Sequence, residues 1–327
     1  MDSSTWNTCA CAFFPRQAPR QEEDISVKIF VTGATGYIGG SVASYLVKAG
    51  HQVSGLLRNP DQRNALLELG ITPVLGTLDD AFILTEQARA ADVVVNAANS
   101  DHLGSVQTFI DALRGSGKVL LHTSGSSVVG DDARGAYERA EIFTDETPFT
   151  PMDIRKDRVE INQLVRRAGV EDGIRSIVFC PTMIYGESLG LPVKSDQLPK
   201  LYAKSREYGA GAYMGAGLHR WSNVHIEDLA ELYRLAIEKA PSASLFFAEN
   251  GEASFIEIAT AISKALGYGG RIQSWPADEA IAQLGDWARF AIGSNSRVRA
   301  VNARVLLGWQ PKRESILEWI ESTDVQW

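Results

Sequence analysis

Apolar and polar positions alternate along this chain in two rhythms. Short apolar runs, rich in β-branched residues, occur at 27–32, 51–57, 72–76, 92–98, 118–123 and 174–180. They are too short for helices and too continuous for strands with one wet face. They therefore predict strands of a parallel sheet covered on both sides. Stretches with helical spacing lie between them: Val42, Tyr45 and Leu46 before a stop at Gly50, then 63–70, 82–91, 102–114 and 152–168. This alternation is the pace of βαβ units, which cross over right-handed and place ligands at the carboxyl ends of strands. The fold class predicted is α/β, a doubly wound parallel sheet.

Beyond Gly186 the pattern loosens. Residues 197–208 read as a helix, 213–221 are rich in glycine and aromatics, and 222–230 lead into a helix reaching 240. Residues 244–249 read as a strand. Ser254 and Glu257 form a capping box that opens a helix to 266. The remainder reads as mostly helical. The expected organisation is an N-terminal extension (1–24), a nucleotide-binding core (25–186) and a smaller, mostly helical C-terminal lobe (187–327) interleaved with the core. Residues 1–24 have no sustained period, and they lack the long apolar stretch of a secretion signal.

Composition narrows the function classes. The chain has 327 residues, a net charge of −8 and 45% hydrophobic residues. Such an acidic balance argues against nucleic acid or an anionic membrane as the main partner. No apolar run approaches the roughly 18–20 residues that span a bilayer. Three cysteines, Cys9, Cys11 and Cys180, are too few and too scattered for a disulfide framework. They predict a reducing, cytoplasmic setting. Cys9 and Cys11 read as exposed thiols on a tail, and no cluster has metal-ligand spacing.

The chemistry concentrates between residues 32 and 39. Gly33, Gly36 and Gly39 follow a strand and open a helix at G-x-x-G-x-x-G spacing. Gly33 permits the turn, Gly36 lets a pyrophosphate approach the backbone, and Gly39 lets the helix pack on the strand. The helix N-terminus presents free N–H groups and a positive dipole end to that phosphate. The second strand ends at Arg58, with Arg63 close behind and no acidic residue there. An arginine here accommodates a 2′-phosphate, so NADP is expected over NAD.

Four stretches carry a family resemblance: Thr32-Gly-Ala-Thr-Gly-Tyr-Ile-Gly39, Ser124-Gly-Ser-Ser-Val-Val-Gly130, Pro181-Thr-Met-Ile-Tyr-Gly186 and Asn223-Val-His-Ile-Glu-Asp-Leu-Ala230. From about Ser26 onward the chain resembles the extended, atypical short-chain dehydrogenase/reductase superfamily, in its NAD(P)-dependent epimerase/dehydratase-like branch. The resemblance implies a Rossmann-type sheet and cofactor contacts from Gly33, Thr35, Gly36, Tyr37, Ile38, Gly39, Arg58, Leu78, Ala97, Ala98, Lys156, Pro181 and Thr182. It also implies a small-molecule substrate and a homodimer through the helices after the fourth and fifth strands.

The active-site pattern departs from that family. Its members carry Tyr-x-x-x-Lys on the helix after the fifth strand, with the Tyr as general acid/base. Lys156 falls in that helix, and Met152 stands four residues before it. The family's Ser/Thr position in the preceding loop falls on Gly125, between Ser124 and Ser126. The catalytic candidates are Lys156, Ser124, Ser126 and Tyr185, with Tyr137 as a further proton donor.

His225 and Asp228 read as structural, ordering the helix they precede. Tyr213, Met214, His219 and Trp221 read as pocket or core with equal weight. His102 beside Asp101 has no assigned role. Three readings stay open. They are an NADP-dependent oxidoreductase or epimerase-like enzyme on a small carbonyl or hydroxyl compound, a non-catalytic NADP sensor, and a non-redox isomerase or lyase scaffolded by the cofactor.

Overall fold

Residues 26–323 are described by a computed structural model. The expectations for the 1–24 extension, Cys9 and Cys11 lie outside the described residues. The nucleotide-binding half runs β1 (Lys28–Thr32), α1 (Tyr37–Lys48), β2 (Gln52–Leu57), α2 (Arg63–Glu68), β3 (Thr72–Leu75), α3 (Ala81–Ala90) and β4 (Val93–Asn96). It continues through α4 (Leu103–Leu113), β5 (Val119–Thr123), β6 (Phe143–Thr144), α5 (Lys156–Glu171), β7 (Arg175–Pro181) and β8 (Met183–Tyr185). Next come α6 (Gln197–Tyr208), β9 (Gly211–Met214), β10 (Arg220–His225), α7 (Ile226–Lys239), β11 (Ser244–Ala248) and β12 (Glu252–Ser254). The last elements are α8 (Phe255–Ala265), β13 (Ile272–Trp275), α9 (Ala277–Leu284), β14 (Val298–Arg299), α10 (Val301–Leu307) and α11 (Ile316–Ser322).

Seven strands form the main sheet in the order β11-β7-β5-β4-β1-β2-β3. Every pairing is parallel, with Ile29 opposite both Val53 and Val93, and Val119 opposite both Val93 and Arg175. The chain builds outward from β1 to β3, then returns to β4 on the other side. That reversal opens a crevice at the carboxyl ends of β1 and β4, where this class of sheet binds its ligand. The strands carry fully buried Phe30, Val31, Val94, Val95, Leu121 and Val178, because helices cover both faces.

A second core holds Met183, Tyr185, Leu198, Trp221, Phe255, Ile258 and Trp319. Around it lie a three-stranded sheet, β12-β10-β8, and the parallel pair β13–β9. Yet α7, β11 and α10 pack into the first core, through Leu232, Phe246 and Leu307. The chain thus passes repeatedly between the two cores. The capping box at α8 is present as expected, with Ser254 Oγ accepting from the Glu257 N–H.

One boundary differs in a way that matters below. A helix was expected to begin at Met152. Met152 is instead extended (φ −61°, ψ 153°), and residues Asp153–Arg155 form a 3₁₀ turn closed by the Arg155 N–H on Met152 O at 2.8 Å. The α-helix starts only at Lys156 and runs on to Glu171. The acidic stretch after β5 is also tied down. Asp131 accepts from the Asn295 backbone and side chain, and Asp145 accepts from the Phe247 and Asn302 N–H groups.

Candidate active site

The site begins at the turn between β1 and α1. Gly33 has φ +73°, and a Cβ there would lie 2.8 Å from Ala97 O and 2.9 Å from Ala98 Cα. A side chain at Gly39 would sit 2.4 Å from Gly33 O, so only glycine lets the helix close on the turn. The Gly36 N–H donates to Gly33 O at 2.9 Å. No side chain caps α1, and its first turn has no acidic residue. The helix therefore offers free N–H groups and a positive dipole end to the crevice, which fits a dinucleotide's phosphates.

The floor beneath is fixed by hydrogen bonds. Thr32 Oγ1 donates to Asn96 Oδ1 (2.7 Å) and accepts from the N–H groups of Ala97 (3.0 Å) and Ala98 (3.2 Å). The hydroxyl at the end of β1 thus shapes the loop after β4. Asn96 Nδ2 donates to His122 Nδ1 at 3.3 Å. Burial, together with the nearby Arg158 charge, pushes the His122 pKa down to about 4, so this ring is neutral at pH 7.

Above this floor lies a cavity of about 720 Å³. It extends from Arg58, Leu78 and Asp79 over the glycine turn, past Ala97 and Ala98, to Thr182 and Ile184. Tyr37 OH donates to Gly186 O at 2.8 Å, fastening the start of α1 to the segment after β8. Asp79 is held by His102 at 3.1 Å, and both line the Arg58 end.

A second cavity of about 400 Å³ continues from the first and shares Ile38, Thr182, Ile184, Asp196 and Gln197 with it. Ser124, Ser126, Ser127 and Pro181 line one side. The 3₁₀ turn and the start of α5 supply Ile154, Arg155 and Arg158, and the C-terminal lobe supplies Trp221, Trp287 and Phe290. Arg158 is the connected group. It donates through Nε to Asp101 Oδ1 at 2.7 Å and through Nη2 to Oδ2, while Nη1 donates to Ser127 Oγ at 3.2 Å. That bidentate contact holds the Asp101 carboxyl below its ordinary pKa. The Ser296 hydroxyl donates to Ser126 Oγ at 2.8 Å. Among the described residues buried Ser124 Oγ has no partner in hydrogen-bond geometry, with the Cys180 thiol beside it.

The structure gathers most of the expected site residues and leaves three outside. Gly33, Thr35, Gly36, Tyr37, Ile38, Gly39, Arg58, Leu78, Ala97, Ala98 and Thr182 line the first cavity, and Ser124, Ser126, Pro181 and Thr182 line the second. Lys156 lines neither. Its side chain is 56% exposed and pairs with Asp153 at 2.7 Å. From this segment Ile154, Arg155 and Arg158 line the second cavity, whereas Met152 and Lys156 do not.

Tyr185 is a second correction. It is fully buried in the second core, its hydroxyl donates to Glu314 O, and its ring packs edge-on against His225. It lines neither cavity. Tyr137 is half exposed and lies outside both cavities.

His225 caps α7, with Nδ1 accepting from the Glu227 N–H. Asp228 lies in the first turn of α7, where its charge favours the helix dipole, and it also reaches a second segment. Its carboxylate accepts from the Lys312 and Arg313 N–H groups, far along the chain. Of the four aromatic-cluster residues, Trp221 reaches the second cavity, whereas His219 stacks on Phe255 at 4.1 Å in the interior. Sequence reasoning missed Arg155, Arg158, Ser127, Trp287 and Phe290.

A doubly wound parallel sheet with an uncapped helix over a glycine turn at its switch point defines a dinucleotide-binding enzyme. Comparison with known proteins identifies its family. The family model described as "NAD dependent epimerase/dehydratase family" matches residues 29–245. "Oxidase ucsJ" of Acremonium sp is 33% identical over 90% of this chain and 95% of its own length. A "4-hydroxy-2-methyl-3-oxo-4-farnesyl-3,4-dihydroquinoline-1-oxide ketoreductase" of Stigmatella aurantiaca is 25% identical, covering 86% of each chain. Among solved structures, dTDP-glucose 4,6-dehydratase of Bacillus anthracis, in complex with NAD, superposes with a TM-score of 0.71. That match spans 91% of this chain and 96% of the other at 18% identity, a likeness of fold. The chain belongs to the NAD dependent epimerase/dehydratase family, and it is an NAD(P)-dependent, oxidoreductase-like enzyme. Among the described residues no helix is long and apolar enough to cross a membrane, and no group of three His, Cys, Asp or Glu could hold a metal ion.

Proposed function

We propose that this chain is an NADP-dependent oxidoreductase acting on a carbonyl or hydroxyl group of a small molecule, with Arg158 as the polar anchor of its reaction cavity. The observation that carries this reading is the Arg158–Asp101–Ser127 linkage, which sets Arg158 and Ser127 in the wall of the second cavity. The glycine turn, Leu78, Ala97, Ala98 and Thr182 would hold the dinucleotide, and Arg58 at the end of β2 would meet a 2′-phosphate. When bound, that cofactor supplies the hydride chemistry. The names of the relatives, an oxidase and a ketoreductase, favour redox chemistry over a sensor role.

The chain's own part is orientation and charge. Arg158 Nη1 donates to Ser127 Oγ, which leaves the serine proton free to point at a substrate oxygen. The guanidinium then stabilises negative charge on that oxygen, as a fixed donor does in a partly dry cavity. Asp101 holds the guanidinium in place, and Ile154 lines the same cavity.

The test is oxidation of NADPH against a panel of aldehydes and ketones, for wild type, Arg158→Ala and Lys156→Ala. Loss of at least about a hundredfold in Arg158→Ala, with Lys156→Ala unchanged, is the expected result. The opposite pattern would sink the proposal, and turnover indifferent to cofactor redox state would indicate an isomerase or lyase. A homodimer through α4 and α5 belongs to the same reading, and light scattering of the purified chain tests it. So does a cytoplasmic location, read from sparse cysteines and a free, buried Cys180 thiol, which imaging of a tagged chain tests.

A further inference from the structure

The second cavity holds a positive charge that the reaction scheme above does not use. Arg155 lies in the 3₁₀ turn, and its Nε is buried without an acceptor. Among the described residues it makes no ion pair. Of the other charged side chains lining the cavity, Arg158 is matched by Asp101, and Asp196 by Lys200 and by the Trp287 indole N–H at 2.5 Å. Asp286 lines the same cavity and is exposed; its charge, with that of Asp101, acts on Arg155, but among the described residues it forms no ion pair with it. Burial pushes the Arg155 pKa below the ordinary guanidinium value. A partly dehydrated cation without an ion-pair partner is costly, and an anion in the cavity that Arg155 lines would offset that cost.

The surroundings specify the rest of that anion. The Arg155 guanidinium carbon stands 5.7 Å from the centre of the Phe290 ring. The Trp221 indole N–H is used by Ser294 O at 2.6 Å, so its apolar ring is what remains for the cavity it lines. Trp287 is tethered by its N–H in the same way. These rings form apolar walls with no hydrogen-bonding demand of their own, suited to a flat apolar body.

Building on the proposed oxidoreductase reading, we infer that this cavity takes a substrate with a planar apolar skeleton bearing a carboxylate, which Arg155 binds while Arg158 and Ser127 face the reacting oxygen. Arg155 is thus a specificity-determining residue, distinct from the Arg158 anchor.

The test is equilibrium binding of cinnamate against cinnamamide to the full-length protein, by calorimetry. The two probes share a flat apolar body and differ in charge. Wild type is expected to bind cinnamate at least about tenfold more tightly, as one well-placed charge-assisted contact would give. Arg155→Met should abolish that preference while leaving cinnamamide affinity within about twofold, and Arg155→Lys should restore part of it. Raising salt on the wild type should weaken cinnamate and not cinnamamide, a readout that needs no variant to fold. Equal affinity for the two probes in wild type, or a preference that survives in Arg155→Met, would overturn the inference. Neither arm requires turnover. Absence of NADPH oxidation would therefore remove the oxidoreductase reading and leave the anion result legible.

Discussion

Substituting alanine at Gly36 and at Gly39 separates two roles within one turn of backbone. At Gly39 the added Cβ would stand 2.4 Å from Gly33 O, 2.8 Å from Gly33 C and 2.9 Å from Thr32 O. All three are backbone atoms, and the shortest approach is about 1 Å inside ordinary contact. Helix α1 has to move off β1. Overpacking of this kind costs about 1–3 kcal/mol, against about 1 kcal/mol gained from replacing a helical glycine.

At Gly36 the Cβ would meet only Gly33 O, at 3.3 Å, in an extended backbone conformation (φ −93°, ψ 175°) open to alanine. Gly36→Ala should therefore cost only about 0.5–1 kcal/mol, the difference between glycine and alanine at an N-cap. Its methyl would instead occupy the approach to the helix N-terminus. The NADPH dissociation constant should rise at least tenfold, or about 1.4 kcal/mol. Thermal melts and fluorescence titration with NADPH read the two effects independently. The reasoning fails if Gly36→Ala unfolds as readily as Gly39→Ala while its cofactor affinity is untouched.

Further predictions follow from buried groups elsewhere. His122 and His219 have pKa values pushed down to about 4, chiefly by burial, so between pH 6.5 and 4 the unfolded chain binds more protons than the folded one. Stability should fall as pH drops through that window, on the order of 3 kcal/mol per histidine at full effect, and urea melts that are flat from pH 6.5 to 4 would contradict this. Glu249 is 3% exposed and accepts from the Gly251 and Ala300 N–H groups while pairing with Arg304 at 2.9 Å. Glu249→Ala should cost about 2–3 kcal/mol by stranding those donors, with Glu249→Gln milder, and equal melting curves for the two variants would refute that account. Tyr185→Phe removes a hydroxyl that serves only Glu314 O, so it should lower thermal stability while leaving NADPH oxidation within about twofold, a loss of about 1 kcal/mol. A kinetic collapse in that variant would return Tyr185 to the active site.

The parallel sheet and the glycine turn were legible because their signals are local. Continuous β-branched runs can only be buried strands, and the spacing of Gly33, Gly36 and Gly39 encodes contacts within one turn and its neighbouring strand. The reaction cavity was less legible because its geometry depends on register and on distant chain. Counting four residues back from Lys156 assumed a helix already formed at Met152, and the 3₁₀ turn at residues 153–155 breaks that count. Ile154 and Arg158 became visible only once the helix start was known. Tyr185 sits in a short strand whose alternation leaves either face plausible, and the carbonyl that takes its hydroxyl is 129 residues away. The partners of Arg158 lie on the loops after β4 and β5, and the aromatic walls come from the C-terminal lobe. No window of sequence contains that constellation.

The cofactor assignment rests on Arg58, and one titration tests it directly. Dissociation constants for NADPH and NADH, measured on wild type and on Arg58→Glu, should show NADPH bound at least about tenfold more tightly by wild type. In Arg58→Glu that preference should vanish or reverse. NADH binding as well as NADPH in wild type, or a preference unchanged by Arg58→Glu, would contradict the account.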